Sequence, residues 1–420
     1  MRVVVVGSGG REHALADALR RTCEVVVTPG NDGIPGSVAT DPTELDADLF
    51  VVGPEVPLVD GLADRLRAQG KLVFGPGADG AQLEGSKVWM KQLLVDAGVP
   101  TARHGAFTDE QAALDFLDTM APPYVIKTDG LAAGKGVVVT ESLTEARNAV
   151  GDYLSGAAFG AAGEELVIEE GLVGPEVSVF AICDGTTAVT LAPAQDFKRI
   201  GDGDEGPNTG GMGAFTPVPA VDDALLADIT TRFIEPTLAE LGRRGIDYRG
   251  APFAGLMLTA DGPKMLEYNV RFGDPECQVL APRYADDLAA VLAEAAAGAL
   301  RTTPRSDGEA AVTVVCASEG YPTSPRTGDV ITGIDDARAL EGVTVFCAGV
   351  ATNADGDLVT AGGRVLNVCG RGATLDEARR RAYAGVDLIS YRGKTVRRDI
   401  ARRAAEAQTP APPPTAEGTP

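Results

Sequence analysis

Histidine is scarce in this chain: 420 residues hold only His13 and His104. Two imidazoles give no basis for a His-rich metal centre or a Ser-His-Asp triad. The six cysteines are scattered, with no C-x-x-C spacing, which predicts reduced, mostly buried thiols in a cytoplasmic protein. Positive charge is short: Lys plus Arg is 37 against 60 for Asp plus Glu, a net charge of −23. That excludes a general nucleic-acid binder and docking on anionic membranes, both of which need a basic face. A small anionic ligand stays open, because local charge governs over ~8–10 Å. No apolar run approaches the ~20 residues of a membrane span, and Val3 to Val6 is too short for a signal-peptide core; a cytoplasmic location is expected. Lysine is scarcer than arginine, eight of the 37 basic residues. Five of the eight, Lys87, Lys91, Lys127, Lys135 and Lys198, fall between residues 87 and 198. A compact ammonium suits a phosphate oxygen as a point charge.

At ~150 residues per domain the length predicts about three domains. Residues 1–100 alternate strand and helix signals, with strands at Val3–Val6, Glu24–Thr28, Leu49–Val52 and Leu72–Phe74. Leu58, Leu62 and Leu66 predict one helix ending at Gly70. This is an open parallel α/β domain, whose ligands belong at the carboxyl ends of the strands. Residues 101–295 form a central α+β domain with a small subdomain over about 123–190, and residues 296–405 a C-terminal α+β domain. Tyr124–Thr128, Val137–Thr140, Glu165–Glu170 and Val177–Ile182 read as strands, and Phe253–Thr259 with Lys264–Val270 as a hairpin. The Pro-rich residues 406–420 are expected to be a disordered tail.

Three motifs carry chemistry. Gly7-Ser8-Gly9-Gly10-Arg11 follows a strand and opens a helix, where glycines let backbone approach a phosphate. It is not a dinucleotide fingerprint: Glu12 stands where the third glycine belongs, and no acid closes the second strand. The Lys127–Lys135 stretch, KTDGLAAGK, joins two strands and reads as a mobile cap over polyphosphate. It is not a Walker A loop, since no Ser or Thr follows its lysine. In Leu266–Glu276, LEYNVRFGDPE, the residues Glu267, Asn269 and Arg271 share one strand face by period-two alternation. A carboxylate beside an amide oxygen suits Mg²⁺, and a guanidinium grips an anion bidentately. Between these motifs, the strand ending at Glu169-Glu170-Gly171-Leu172 can offer backbone to an adenine edge, with Glu176 near ribose hydroxyls. The Gly-rich run from Gln195-Asp196 to Phe215 reads as a functional loop.

Taken in order, GSGGREHAL, VVGPEVPLV, FGPGADGAQLEGSK, IKTDGLAAGKGVVV, VIEEGL, AQDFKRIGDGDEGPNTGGMGAF and LEYNVRFGDPE resemble the ATP-grasp superfamily, and closely its phosphoribosylamine–glycine ligase family. The resemblance covers residues 7–276 and, with softer motifs, the region after 300. It implies an ATP-dependent carbon–nitrogen ligase of purine synthesis joining glycine to 5-phosphoribosylamine through a glycyl phosphate. It implies Lys87, Lys127, Lys135, Glu169, Glu170, Leu172 and Glu176 as ATP contacts, and Glu267 and Asn269 as Mg²⁺ or Mn²⁺ ligands. Gly9, Gly10, Asn31, Glu55, Asp196, Arg271 and Asp274 are implied to hold the other substrates, with Arg271, Lys127 and Asp196 catalytic. The partners are then small molecules only, with the chain a monomer or weak dimer. The alternative is another ATP-grasp carboxylate–amine ligase or carboxylase of nucleotide metabolism. A non-catalytic nucleotide binder would have lost Lys127 or Glu267. Three departures stand out: Phe197 where the family commonly has His, Gly255 where many ATP-grasp enzymes have an acid, and a short Pro29–Asp46 crossover where relatives carry a helix.

Overall fold

The computed structural model describes residues 1–131, 136–155 and 165–408. Four parallel strands open the chain, in the spatial order Glu24–Pro29, Arg2–Gly7, Leu49–Val52 and Val73–Phe74. Val3 to Val6 and Leu49 to Val52 are buried throughout, as a parallel sheet covered on both faces requires. The single helix expected through Leu58, Leu62 and Leu66 is two, Glu55–Val59 and Leu62–Ala68. They part at Gly61, whose φ of +75° continues no right-handed helix. All three leucines still face the core, so the periodicity identified the buried side but not the break.

The short crossover after the second strand holds only a single 3-10 turn, Pro42–Glu44. Its missing cover comes from the other end of the chain. Ile34 is buried, and a Cβ on Gly33 would stand 2.5 Å from the Cys347 sulfur. The C-terminal region therefore packs where a crossover helix would lie.

A second sheet, His104–Phe107, Leu166–Glu170, Tyr124–Thr128 and Val137–Thr140, is antiparallel. It packs on the helices Glu110–Leu117 and Leu143–Leu154 around a separate small core that includes Ile126, Val150 and Ile168. Asp109 and Ser142 cap those helices by accepting the N3 amide, each worth about 1 kcal/mol. A third sheet joins Ala188–Thr190, Glu176–Asp184, Phe253–Thr259 and Gly262–Asn269. Its hairpin carries a bulge: Gly255 faces Glu267 while Leu256 faces Met265, so Leu266 is the extra residue. The strand stops at Asn269, so Arg271 lies past its end, where strand alternation no longer sets its side.

The remaining large sheet crosses the expected domain boundary. Gln195–Asp196 and Gly213–Thr216, from the middle of the chain, pair onward to Ala310–Ala317, Arg364–Gly372 and Val343–Cys347. The Gly-rich run is thus partly strand rather than loop. The last helix, Arg402–Gln408, extends into the expected tail: Ala405 is buried, and Gln408 accepts the Leu375 amide at the start of a neighbouring helix. Residues 409–420 lie outside the described residues, as do Ala132 to Lys135 of the Gly-rich cap.

Candidate active site

Glu267 and Asn269 sit on alternate positions of the last hairpin strand, beyond the bulge. Among the described residues neither side chain has a hydrogen-bond partner. Burial alone would raise the Glu267 carboxyl, but Lys198, Lys127, Lys87 and Arg271 together hold it below the ordinary value. An ionised carboxylate and an amide oxygen, both uncommitted, fit a hard divalent cation. No group of three or more His, Cys, Asp or Glu among the described residues is arranged to hold a metal. The pair needs oxygens from elsewhere, and the surrounding cations suit a polyphosphate.

Lys87 opens the helix Lys87–Asp96, where Ser86 caps by accepting the Trp89 amide. Its ammonium donates to the Gly130 carbonyl at 2.8 Å. Lys127, one residue before the end of the strand Tyr124–Thr128, lies 3.0 Å from a Glu169 oxygen. The adenine contact expected of this run is a backbone one; the Glu169 side chain turns inward between Lys127 and Lys91. Glu170 pairs with Lys264 and accepts the Arg103 amide. The N–H groups of Glu170 and Gly171 go to the carbonyls of Arg103 and Pro123. Leu172 is then the first of the run whose N–H is unengaged among the described residues. Glu176, expected at a ribose, is ion-paired with Lys198. Lys135 falls outside the described residues.

Asp196 lies on its short strand beside Lys198 and Glu176; burial, reinforced by Glu176, raises its pKa despite Lys198. Arg271 holds two acids, Glu55 at 3.1 Å and Glu84 at 2.7 Å. Asp274 is bound instead by Arg364 and Gln278. Glu276 accepts the Ser178 hydroxyl, and burial beside Asp196 pushes its pKa up to about 7.

The first glycine loop differs from an open phosphate cradle. Gly9 donates its N–H to Glu12 at 2.6 Å, and Arg11 donates its N–H to the Asp274 carboxylate. The anions at this helix start are the chain's own. Glycine is needed at 7 and 53 because Glu12 fills their space: a Cβ on Gly53 would lie 2.0 Å from its oxygen. Gly10 keeps its N–H unengaged among the described residues. Asn31 donates to the carbonyls of Ser8 and Ala348 and accepts from Gly33, so its amide ties the first domain to the C-terminal region. At the departure from the family pattern, Phe197 offers its ring to the buried Arg397, 4.8 Å from the centroid.

Three models of one family match the chain in order. The phosphoribosylglycinamide synthetase N domain matches residues 1–84, its ATP-grasp (A) domain residues 85–277 and its C domain residues 311–403. The phosphoribosylamine–glycine ligase of Mesorhizobium japonicum is 48% identical, over 95% of this chain and 97% of its own. That of Caulobacter vibrioides is also 48% identical, over 97% and 99%. The chain belongs to the phosphoribosylamine–glycine ligase family. It is an ATP-grasp ligase. The crystal structure of the Thermotoga maritima phosphoribosylamine–glycine ligase superposes with a TM-score of 0.85 at 36% identity, covering 95% of this chain and all of that one. Biotin carboxylase from Campylobacter jejuni shares the fold alone, with a TM-score of 0.69 at 14% identity over 94% and 92% of the two chains.

Within this ligase family site, sequence reasoning missed Glu12, Glu84 and the structural part of Lys91. Glu12 had a signal, three residues past Gly9 in capping-box spacing. Glu84 and Lys91 had none, because their partners Arg271 and Glu169 lie 187 and 78 residues away.

Proposed function

We propose that the chain joins glycine to 5-phosphoribosylamine with ATP, giving glycinamide ribonucleotide, ADP and phosphate in purine biosynthesis. The observation that carries this reading is the uncommitted Glu267–Asn269 pair amid Lys87, Lys127, Lys198 and Arg271. Such a set neutralises a triphosphate and leaves an anionic acid able to approach it.

Glu267 and Asn269 would hold Mg²⁺ or Mn²⁺, which when bound supplies charge neutralisation on the phosphates. Lys87 and Lys127 hold phosphate oxygens, the family resemblance adds Lys135 as a further phosphate contact, and the backbone of the Glu169 to Leu172 run with the Glu176 side chain receives the nucleoside, the Glu169 side chain itself facing Lys91 and Lys127. The glycine carboxylate, a poor acyl donor, attacks the γ-phosphorus and ADP leaves. The phosphoribosylamine nitrogen then attacks the acyl carbon, and phosphate departs with its electron pair. Arg271 offsets repulsion between carboxylate and triphosphate, while Asp196 faces the amine. Gly9, Gly10, Glu55 and Asp274 border the phosphoribosylamine, with Asn31 shaping the loop. The acyl phosphate hydrolyses in water, so closure over it is required.

The six cysteines are free thiols and no helix among the described residues is long and apolar enough to cross a membrane, which suits the cytoplasm. The test offers alanine in place of glycine. A site closed around a substrate lacking Cβ excludes the methyl, so ADP formation with alanine should fall at least ~10-fold in kcat/KM; equal rates overturn the assignment of glycine.

A further inference from the structure

Lys91 sits one turn past Lys87 on the helix Lys87–Asp96, and is 1% exposed. An ammonium so deep needs partners, because an unpaired buried charge is strongly disfavoured. It donates to Glu169 at 3.0 Å and to the Thr101 hydroxyl at 2.8 Å. Thr101 in turn donates to the carbonyl of Met265 at 2.7 Å, on the strand that carries Glu267. On its far side the Glu169 carboxylate gives its other oxygen to Lys127, also at 3.0 Å. A continuous line of contacts thus joins the Glu267 strand to Lys127 in the small sheet. The helix start reinforces it: Ser86 donates to the Asp129 carboxylate, just past the end of the Lys127 strand.

Charge gives this line a consequence. Two ammoniums sharing one carboxylate leave a net positive charge on the Lys127 side. With Lys91 removed, Glu169 and Lys127 sum to zero and the carboxylate pulls Lys127 toward itself. Burial strengthens that pull, since the local dielectric is low. Burial lowers the Lys91 pKa to about 8 against the opposing effect of Glu169, which leaves it cationic near neutral pH.

We infer that Lys91 is a positioning residue for nucleotide binding: by occupying one oxygen of Glu169 it fixes Lys127 and leaves the Lys127 charge available to a nucleotide phosphate. This rests on the proposed part of Lys127 as a phosphate ligand, and the test separates the two. Titration calorimetry of the full chain with a non-hydrolysable ATP analogue and Mg²⁺ is run on Lys127→Met, Lys91→Met, Lys91→Arg, Glu169→Gln and the Lys91→Met/Glu169→Gln double variant, each with its melting temperature.

Lys91→Met should bind about tenfold more weakly, the effect of one pKa unit of charge interaction. Lys91→Arg should bind as the parent. The double variant should recover to within about threefold of the parent, because removing the carboxylate with its partner frees Lys127 again. A merely structural part for Lys91 predicts the opposite, with affinity following melting temperature and the double variant worst. Should Lys91→Met fail to fold, Glu169→Gln alone decides: Lys127 is then left with no carboxylate competing for its charge, so the variant should bind at least as tightly as the parent, and weaker binding overturns the inference. Parent-like affinity in Lys91→Met, or no recovery in the double variant, also overturns it. Parent-like affinity in Lys127→Met instead overturns the reading of Lys127 itself.

Discussion

Arg271 shows how far a single residue could be read. Its type and motif pointed to an anion grip, and the acids of its own motif, Asp274 and Glu276, are not its partners in the fold. Glu55 and Glu84 hold it, and they lie in the first domain, beyond any local spacing rule. A lysine there keeps charge but cannot serve two acids and a carboxylate through one planar fork. Arg271→Lys should raise the glycine KM about tenfold, the scale of one charge-assisted hydrogen bond, while nucleotide affinity stays within about twofold. An unchanged glycine KM with a lowered melting temperature would leave Arg271 a purely structural tie. Glu276 gives a pH prediction. Its folded pKa is raised to about 7 by burial and by Asp196, so the native state binds more protons than the unfolded chain between about 4.5 and 7. Stability from this group is therefore lost as pH rises through that window. Glu276→Gln keeps the acceptor for Ser178 and removes the charge. Its melting temperature should match the parent near pH 4.5 and exceed it by a few degrees at pH 8; a difference independent of pH would contradict the assignment.

Elements were legible where hydrophobic pattern and turn chemistry agreed. Tyr124–Thr128 and Val137–Thr140 fall where their alternation and the intervening glycines put them. The failures share a cause: each depends on backbone conformation that composition does not encode. Gly61 breaks a helix that the leucine spacing carries through, and the Leu266 bulge shifts the hairpin by one residue. The same limit hid a close backbone approach in the C-terminal region. Gly370 lies buried in its strand, and a Cβ there would stand 2.2 Å from the Ala378 carbonyl and 2.4 Å from the Ala382 nitrogen, both on the helix Leu375–Leu388. Backbone cannot yield as a side-chain tip does. Gly370→Ala should push that helix off the sheet and cost about 3 kcal/mol or more, read as a lower urea midpoint. A midpoint within error of the parent would show that the helix has room to move.

The whole molecule is tied together more closely than three domains in a row. The strands Gln195–Asp196 and Gly213–Thr216 belong to the C-terminal sheet, and Asn31, His13 and Gly33 of the first domain reach the Val343–Cys347 strand or the residues just after it. None of this was legible in sequence, because each of these contacts into the C-terminal region spans 95 residues or more. Seven ordered motifs carried the site instead: they named Lys127, Glu267 and Asn269, whose surroundings in the fold have the charge the chemistry needs. They could not say that Glu169 faces inward, since Lys91 and Lys127 reach it from two other elements. The net charge of −23 is likewise compatible with an anionic substrate because the cations converge at one place. The most direct measurement of the central claim is ADP release with ATP and Mg²⁺, assayed with glycine and phosphoribosylamine together and with each omitted. Sustained ADP release should appear only with both present and fall to background when either is left out; equal release with one of them missing would contradict the ligase reading.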